Sequence, residues 1–123
     1  MRVLIADDQD FIRRRLRALL EEEPDIEICG EAHNGDTAVR LVQILLPDVV
    51  IMDISMPVLD GLQATRVIRE FFPKVHVVTV SQHELGDLGP TFLSGACAHV
   101  PKVDVCEQLI PVLRDLPLED VVN

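Results

Sequence analysis

The sequence predicts one α/β domain in which a parallel sheet carries helices on both faces. Short apolar runs rich in Val and Ile recur along the 123 residues, and segments with the period of an amphipathic helix separate them. Five strands separated by helices pair in parallel through right-handed crossovers, which gives a doubly wound sandwich. The length suits a single domain, and a hydrophobic content of 48% excludes a disordered chain.

Apolar spacing and turn residues define the first two strand–helix units. A strand at residues 3–6 precedes a helix that begins at Phe11 and ends before Pro24. The apolar face of this helix has the spacing i, i+4, i+7 and i+8, at Ile12, Leu16, Leu19 and Leu20. A second strand at 26–32 leads into a helix for which we predict Asp36 as the N-terminal cap.

The third unit follows the same alternation. A strand at 48–53 is almost entirely apolar and ends in an acid, which is typical of a strand covered on both faces. The next helix begins at Gly61, and strands at 76–80 and 98–100 complete the predicted sheet.

The last two helices contain helix breakers. The fourth helical segment is interrupted at Gly86, Gly89 and Pro90. Each Gly costs about 1 kcal/mol and an interior Pro about 3 kcal/mol, so we predict a loop over 83–89 and a short helix opened by Pro90. The last helix begins near Asp104, which has Glu107 at capping-box spacing. Pro111 predicts a kink in it.

Composition excludes several classes of function. With 21 acidic and 11 basic residues the net charge is −10, so we expect no direct binding of nucleic acid or of an anionic membrane surface by this chain. The sequence has neither a long apolar run nor a basic leader, which predicts a cytoplasmic protein without a signal peptide. The three cysteines lack metal-ligand spacing and are expected to be reduced thiols.

Polar side chains follow four of the predicted strands. They are Asp7 and Asp8, Asp53, Ser81 and Lys102. The carboxyl ends of parallel strands meet at one edge of the sheet, so we expect these groups to converge. At ~4 Å each pair of ionised carboxylates repels by about 4 kcal/mol at an effective dielectric of about 20, so the cluster implies a bound cation. Carboxylate ligands with places left for water favour Mg²⁺ over zinc or calcium.

Once a cation neutralises two carboxylates, the remaining carboxylate oxygen is a nucleophile suited to phosphorus. Phosphoryl transfer needs mainly positioning and charge stabilisation from a protein. Lys102 would pair with one phosphoryl oxygen and the Ser81 hydroxyl would bind another.

These residues resemble, in order and spacing, the receiver domain of response regulators in two-component signalling. The segment 53–57 (DISMP) and the pair Asp60–Gly61 carry the same resemblance, which covers essentially the whole chain. The stretch 24–35 is similar to the subfamily in which a helix-turn-helix DNA-binding domain follows the receiver. The resemblance implies a flavodoxin-like sheet of strand order 2-1-3-4-5. We predict a receiver domain at 1–116 and a tail or truncated linker at 117–123.

The resemblance also implies roles for individual residues at the acidic cluster. Asp53 would accept the phosphoryl group from a phosphohistidine. Asp8 would bind Mg²⁺ directly, Asp7 would act mainly through a water, and the main-chain carbonyl of Ser55 would be a further ligand. Lys102 matches the lysine of the family.

The switch positions of the family fall on the fourth and fifth strands. Ser81 matches the switch hydroxyl, and Thr79 is the competing residue two positions earlier, inside the strand. His99 occupies the aromatic switch position, where its charge adds pH dependence. Many receivers have Lys-Pro with a cis peptide bond; here Pro101 precedes Lys102 instead, and we expect the bond after Lys102 to be trans.

The function implied is a phosphoacceptor switch that catalyses only its own phosphorylation and dephosphorylation. A histidine kinase or phosphotransfer protein would be its partner, a homodimer is compatible with the family, and regulation of transcription is the expected output. The alternative is a pseudo-receiver that binds proteins without being phosphorylated. A phosphatase with an aspartyl-phosphate intermediate needs a second acid where Ser55 stands, and no P-loop motif is present.

Overall fold

The structure, a computed structural model, describes residues 1–82 and 89–118. Strands and helices alternate as predicted: β1 (Arg2–Ala6), α1 (Asp10–Glu21), β2 (Glu27–Ala32), α2 (Gly35–Leu45), β3 (Val49–Asp53), α3 (Gly61–Phe71), β4 (His76–Ser81), α4 (Gly89–Leu93), β5 (Ala98–Pro101) and α5 (Val105–Asp115). A short 3₁₀ turn (Lys102–Asp104) joins β5 to α5. None of the helices in the described ranges combines the length and hydrophobicity needed to cross a bilayer.

The strands form one parallel sheet of order β2-β1-β3-β4-β5. This confirms the doubly wound fold and its predicted strand order. The chain reverses direction of winding between β1 and β3, so the carboxyl ends of these two central strands border one crevice. Ala6 lies beside Met52 in the register, which brings the residues that follow β1 level with the end of β3.

Side chains on alternate positions of the central strands belong to two separate hydrophobic cores. In β1, Val3 and Ile5 pack in the core that also contains residues of α1 and α5. Leu4 and Ala6 point the opposite way and pack with residues of α2 and α3. The sheet is therefore covered on both faces, and it holds its polar strand ends in fixed positions.

The predicted apolar face of α1 is confirmed, and the predicted cap of α2 is wrong. Ile12, Leu16 and Leu20 are buried, and Leu19 packs partly against the same core. The residue that caps α2 is Asn34, whose Oδ1 accepts a hydrogen bond from the Thr37 N–H at 2.8 Å. A capping side chain must come from the extended residue before the first turn. Asp36 already lies inside the helix.

The irregular second half agrees with the helix breakers. Within the described residues, the helix α4 spans five residues and has Pro90 in its first turn. Gly89, which we predicted as the end of a loop, is helical, and the rest of that loop (83–88, including Gly86) lies outside the described residues. The described peptide bonds are trans, including the one after Lys102.

The start of α5 corrects a second prediction about caps. Asp104 precedes the helix, but its side chain makes no capping hydrogen bond. The 3₁₀ turn leaves Asp104 at φ −104° and ψ 5°, whereas a capping residue has an extended backbone. The helix continues through Pro111 to Asp115, and the kink at Pro111 stays a prediction.

Candidate functional site

The carboxyl ends of β1, β3 and β4 and the turn after β5 enclose a pocket of about 280 Å³. Its lining consists of Asp8, Gln9, Asp53, Ile54, Ser55, Ser81, Gln82 and Lys102. Five of the residues singled out from the sequence are therefore in one pocket. Asp7 is fully buried beside it, and His99 contacts it through Ser81.

Three carboxylates meet at this pocket. Asp7, Asp8 and Asp53 each have an oxygen within 4.8 Å of one on the others. Asp7 and Asp53 are buried, whereas Asp8 is exposed. This arrangement follows from the parallel sheet, because the two acids after β1 and the acid that ends β3 come from neighbouring strands.

Backbone contacts hold Asp7 in place. Its Oδ1 accepts a hydrogen bond from the Gln9 N–H at 2.9 Å, and its own N–H donates to the Ala32 carbonyl at 3.0 Å. The guanidinium of Arg13 donates to the Asp7 carbonyl oxygen at 2.6 Å. The loop after β1 is therefore fixed from two sides, and Asp8 is presented at the pocket wall.

Lys102 supplies the positive charge of the cluster. Its Nζ lies 2.7 Å from Oδ2 of Asp7 and 3.4 Å from Oδ2 of Asp53, and its side chain is only 8% exposed. The Asp7 oxygen makes no hydrogen bond of regular geometry, so its contact with the ammonium is one of charge. One ammonium beside three carboxylates leaves an excess of negative charge.

The pKa of Asp53 reflects its burial first and this excess of negative charge second. Burial, followed by the charge of Asp7, raises the pKa of Asp53 from 3.8 to about 6. The Ser55 N–H, which donates to Asp53 Oδ1 at 3.2 Å, and the Lys102 ammonium act in the opposite direction but do not compensate fully. A carboxyl group in this state is stabilised in its ionised form by an added cation.

The donor set fits a small divalent cation. Oxygen atoms from three carboxylates within reach of one another, one of them exposed to water, are ligands that Mg²⁺ prefers. The described residues contain no other group of three or more acidic, histidine or cysteine side chains with this spacing.

The structure distinguishes between the two candidate hydroxyls on β4. Ser81 lines the pocket, whereas Thr79 is buried inside the sheet and does not. Both hydroxyls contact the His99 ring, at 3.0 Å from Ser81 Oγ to Nε2 and at 2.8 Å from Thr79 Oγ1 to Nδ1. We predicted His99 as a switch position, but not that it joins two hydroxyls. The parallel register of β4 and β5, which pairs Thr79 with His99, brings these side chains together.

A close backbone approach after β3 was also missed. A Cβ on Gly61 would lie 2.0 Å from the Asp53 carbonyl oxygen, so only Gly fits at this position. The preceding Asp60 caps α3, and its Oδ1 accepts a hydrogen bond from the Gln63 N–H at 2.9 Å. The pair Asp60–Gly61 thus seats the start of α3 against the backbone of Asp53.

Comparisons with known proteins agree with this geometry. The family model described as "Response regulator receiver domain" matches residues 3–111. The chain is 36% identical over 115 residues to the transcriptional regulatory protein LiaR of Bacillus subtilis (strain 168), covering 93% of this chain and 54% of LiaR. It is 38% identical over 120 residues to a protein-glutamate methylesterase/protein-glutamine glutaminase of Alkalilimnicola ehrlichii, covering 94% of this chain and 31% of that protein.

A solved structure has the same fold. The response regulator domain of Thermotoga maritima CheB superimposes with a TM-score of 0.86 at 30% identity, over 93% of each chain. The curated relatives are longer, since this chain spans about half of LiaR and a third of the methylesterase. The family match, the strand order and the acidic pocket lead to one conclusion: the chain belongs to the receiver domains of response regulators.

Proposed function

We propose that this receiver is a Mg²⁺-dependent switch whose phosphoacceptor is Asp53. The observation that carries the proposal is the position of Asp53, which is buried among two other carboxylates, with Lys102 Nζ 3.4 Å away and an open pocket beside it. The raised pKa of this carboxyl group also supports it, because a cation at the site would keep Asp53 ionised and available as a nucleophile.

Four residues would hold the metal. Asp8, Asp53 and the main-chain carbonyl of Ser55 would be direct ligands, and Asp7 would act through a water. When bound, Mg²⁺ supplies positive charge that offsets the carboxylates and the oxygens of the phosphoryl group. The acidic pocket and the exposed position of Asp8 support this assignment.

Phosphorylation is then a displacement at phosphorus by a side-chain oxygen. A carboxylate oxygen of Asp53 attacks the phosphorus of a phosphohistidine, the P–N bond breaks, and its electron pair stays on the histidine. Lys102 pairs with one phosphoryl oxygen and Ser81 donates a hydrogen bond to another. Dephosphorylation is the attack of water on the same phosphorus, which returns the Asp53 carboxylate.

The remaining assignments concern output and partners. Ser81 and His99 would transmit the phosphorylated state along β4 and β5. A histidine kinase or phosphotransfer protein would supply the phosphoryl group in the cytoplasm, and a homodimer would be a form of the output. Similarity to LiaR supports a receiver at 1–116 that regulates transcription, with 117–123 leading to a further domain. Similarity to a methylesterase supports an enzyme as the other output.

The experiment is phosphorylation by acetyl phosphate and Mg²⁺, followed by intact mass spectrometry. We expect one phosphoryl adduct on the wild type and none on Asp53→Asn. Asp60→Asn is a matched control, because it neutralises a nearby acid that caps α3 and an Asn side chain can also cap. An adduct that persists in Asp53→Asn, or no adduct on the wild type, would contradict the proposal.

A protein-binding pseudo-receiver is the second candidate. The described part of α4 favours it, since its five residues form a shorter helix than the 11 residues of α3 or α5. Calorimetric titration with Mg²⁺ separates the two candidates: a switch binds Mg²⁺ and loses the binding in Asp8→Ala, whereas a scaffold shows no dependence on Asp8.

A further inference from the structure

One arginine of α1 turns toward the acidic corner. The helix carries four arginines, of which Arg14 and Arg15 are exposed to solvent. The side chain of Arg13 is only 15% exposed, and its Nη1 donates a hydrogen bond to the Asp7 carbonyl oxygen at 2.6 Å. This carbonyl belongs to the peptide group that joins Asp7 to Asp8. Arg13 therefore contacts the backbone immediately before the exposed carboxylate of the pocket.

The guanidinium of Arg13 is itself held by carboxylates on two elements. Its Nε donates to Glu31 Oε1 at 3.1 Å, and its Nη2 donates to Asp10 Oδ1. Glu31 lies on β2, where it is paired with Ile5 of β1. The three nitrogens of one planar group thus have three different partners, and this fixes the direction of the hydrogen bond from Nη1 to Asp7.

A hydrogen bond to the Asp7 carbonyl orients the start of Asp8. Because a peptide group is planar, the direction of this carbonyl determines the direction of the Asp8 N–H and the position of the Asp8 Cα. The other anchors of the loop act on different groups: the Asp7 N–H donates to the Ala32 carbonyl, and the Gln9 N–H donates to the Asp7 side chain. Arg13 adds the anchor that orients the peptide between the two acids.

Arg17 offers a comparison within the same cluster of charges. Its Nε and Nη2 donate to Glu31 Oε2 at 2.8 Å and 2.6 Å, so it pairs with the same carboxylate as Arg13. Among the described residues, the hydrogen bonds of Arg17 go to Glu31 and not to the Asp7 carbonyl. The two arginines therefore carry the same charge on the same carboxylate and differ in their contact with the backbone.

We propose that Arg13 is a positioning residue of the metal site, whose hydrogen bond to the Asp7 carbonyl holds Asp8 at the pocket and thereby strengthens the binding of Mg²⁺. This role rests on the proposed function, in which Asp8 is a direct ligand. The sign of the effect distinguishes positioning from charge. A guanidinium repels a cation nearby, so the loss of its charge alone would tighten Mg²⁺ binding, whereas the loss of an anchor weakens it.

Calorimetric titration with Mg²⁺ tests the proposal on the wild type, Arg13→Gln and Arg17→Gln. Residues that orient metal ligands commonly contribute roughly 10- to 100-fold to affinity, so we expect Arg13→Gln to bind Mg²⁺ about tenfold more weakly. Arg17→Gln removes the same charge, and we expect its affinity to stay within about threefold of the wild type, on the side of tighter binding. Binding by Arg13→Gln that is as tight as in the wild type, or tighter, overturns the proposal.

A merely structural role of Arg13 predicts a different result. It would lower the stability of Arg13→Gln in urea and EDTA, but the folded protein would bind Mg²⁺ as Arg17→Gln does. Circular dichroism at the temperature of the titration verifies that each variant is folded. An affinity of Arg13→Gln equal to that of Arg17→Gln overturns the proposal.

Arg13→Lys is the second variant, and it serves even if Arg13→Gln does not fold. Lysine keeps the positive charge, but its single ammonium nitrogen does not reproduce the planar fork, so we expect Mg²⁺ to bind about threefold more weakly than in the wild type. A role of the charge alone predicts no change. Wild-type affinity in Arg13→Lys overturns the proposal.

The Mg²⁺ concentration that gives half-maximal phosphorylation by acetyl phosphate is the second readout. We expect it to be about tenfold higher in Arg13→Gln than in the wild type, in line with the weaker affinity, and not raised in Arg17→Gln. Equal concentrations for Arg13→Gln and the wild type overturn the positioning role alone. A wild type that binds no Mg²⁺ overturns the proposed function and the positioning role with it.

Discussion

The corner at the ends of β1 and β3 and the edge formed by β4 and β5 hold their polar groups in different ways. At the corner the groups are charged, and backbone hydrogen bonds to Asp7 and Asp53 fix them in place. At the edge the groups are two hydroxyls and one imidazole, and the ring contacts both hydroxyls. Backbone contacts therefore fix the charged corner, whereas the edge depends on contacts between uncharged side chains.

The helices beside the two regions differ as well. The 11-residue α3 buries Ala64, Thr65 and Ile68 and begins against the backbone of Asp53. The five-residue α4 buries Thr91, while Phe92 and Leu93 are exposed. Burial of apolar surface is the main source of stability, so we expect the described part of α4 to contribute less to stability than α3 does.

Removing the cation of the corner should strongly destabilise the protein. Lys102→Met leaves the buried carboxylates of Asp7 and Asp53 without their ammonium, and we expect a loss of about 3 kcal/mol in the free energy of unfolding in EDTA. Urea denaturation followed by circular dichroism measures it, since the chain has no Trp. Added Mg²⁺ should recover part of the loss.

Arg40→Gln is the control for this change. It removes an exposed cation paired with Asp36 at 3.4 Å, and we expect an effect below about 1 kcal/mol. Equal losses for the two variants would mean that the charges of the corner are as well solvated as those of a surface helix.

The pH dependence of the free energy of unfolding should reveal the raised pKa of Asp53. Its pKa is about 6 in the folded protein against an ordinary value of 3.8, so the unfolded chain releases this proton first. The contribution of Asp53 is therefore fully present below pH ~3.8 and is lost as the pH rises through about 6. In EDTA, the wild type should lose up to about 3 kcal/mol relative to Asp53→Asn across this window. A difference between the two proteins that does not change with pH would show that Asp53 titrates normally.

The smallest effect is expected at α4. The side chain of Leu93 is 82% exposed, so Leu93→Ala should change the free energy of unfolding by less than about 0.5 kcal/mol and leave phosphorylation by acetyl phosphate unchanged. Ile68→Ala in α3, which empties a fully buried site, should cost about 3 kcal/mol in the same urea titration. A large effect of the Leu93 change would show that α4 is packed as firmly as α3.

Much of the site could be predicted because its residues follow strands that local periodicity reveals. An apolar run that stops at an acid indicates both the strand and its end, which is how Asp8 and Asp53 were found. The predictions that failed concern helix caps. Asp36 and Asp104 are both residue types that cap helices, but a cap depends on the backbone angle one residue before the first turn. Composition does not reveal that angle.

The sequence by itself determined the alternation of strands and helices, the single domain and the identity of the polar residues at the strand ends, because each depends on neighbours within a few positions along the chain. Only the tertiary structure decided the raised pKa of Asp53, the requirement for Gly at position 61 and the chain from Thr79 through His99 to Ser81. Those properties depend on burial and on strand register, which bring together residues far apart in sequence.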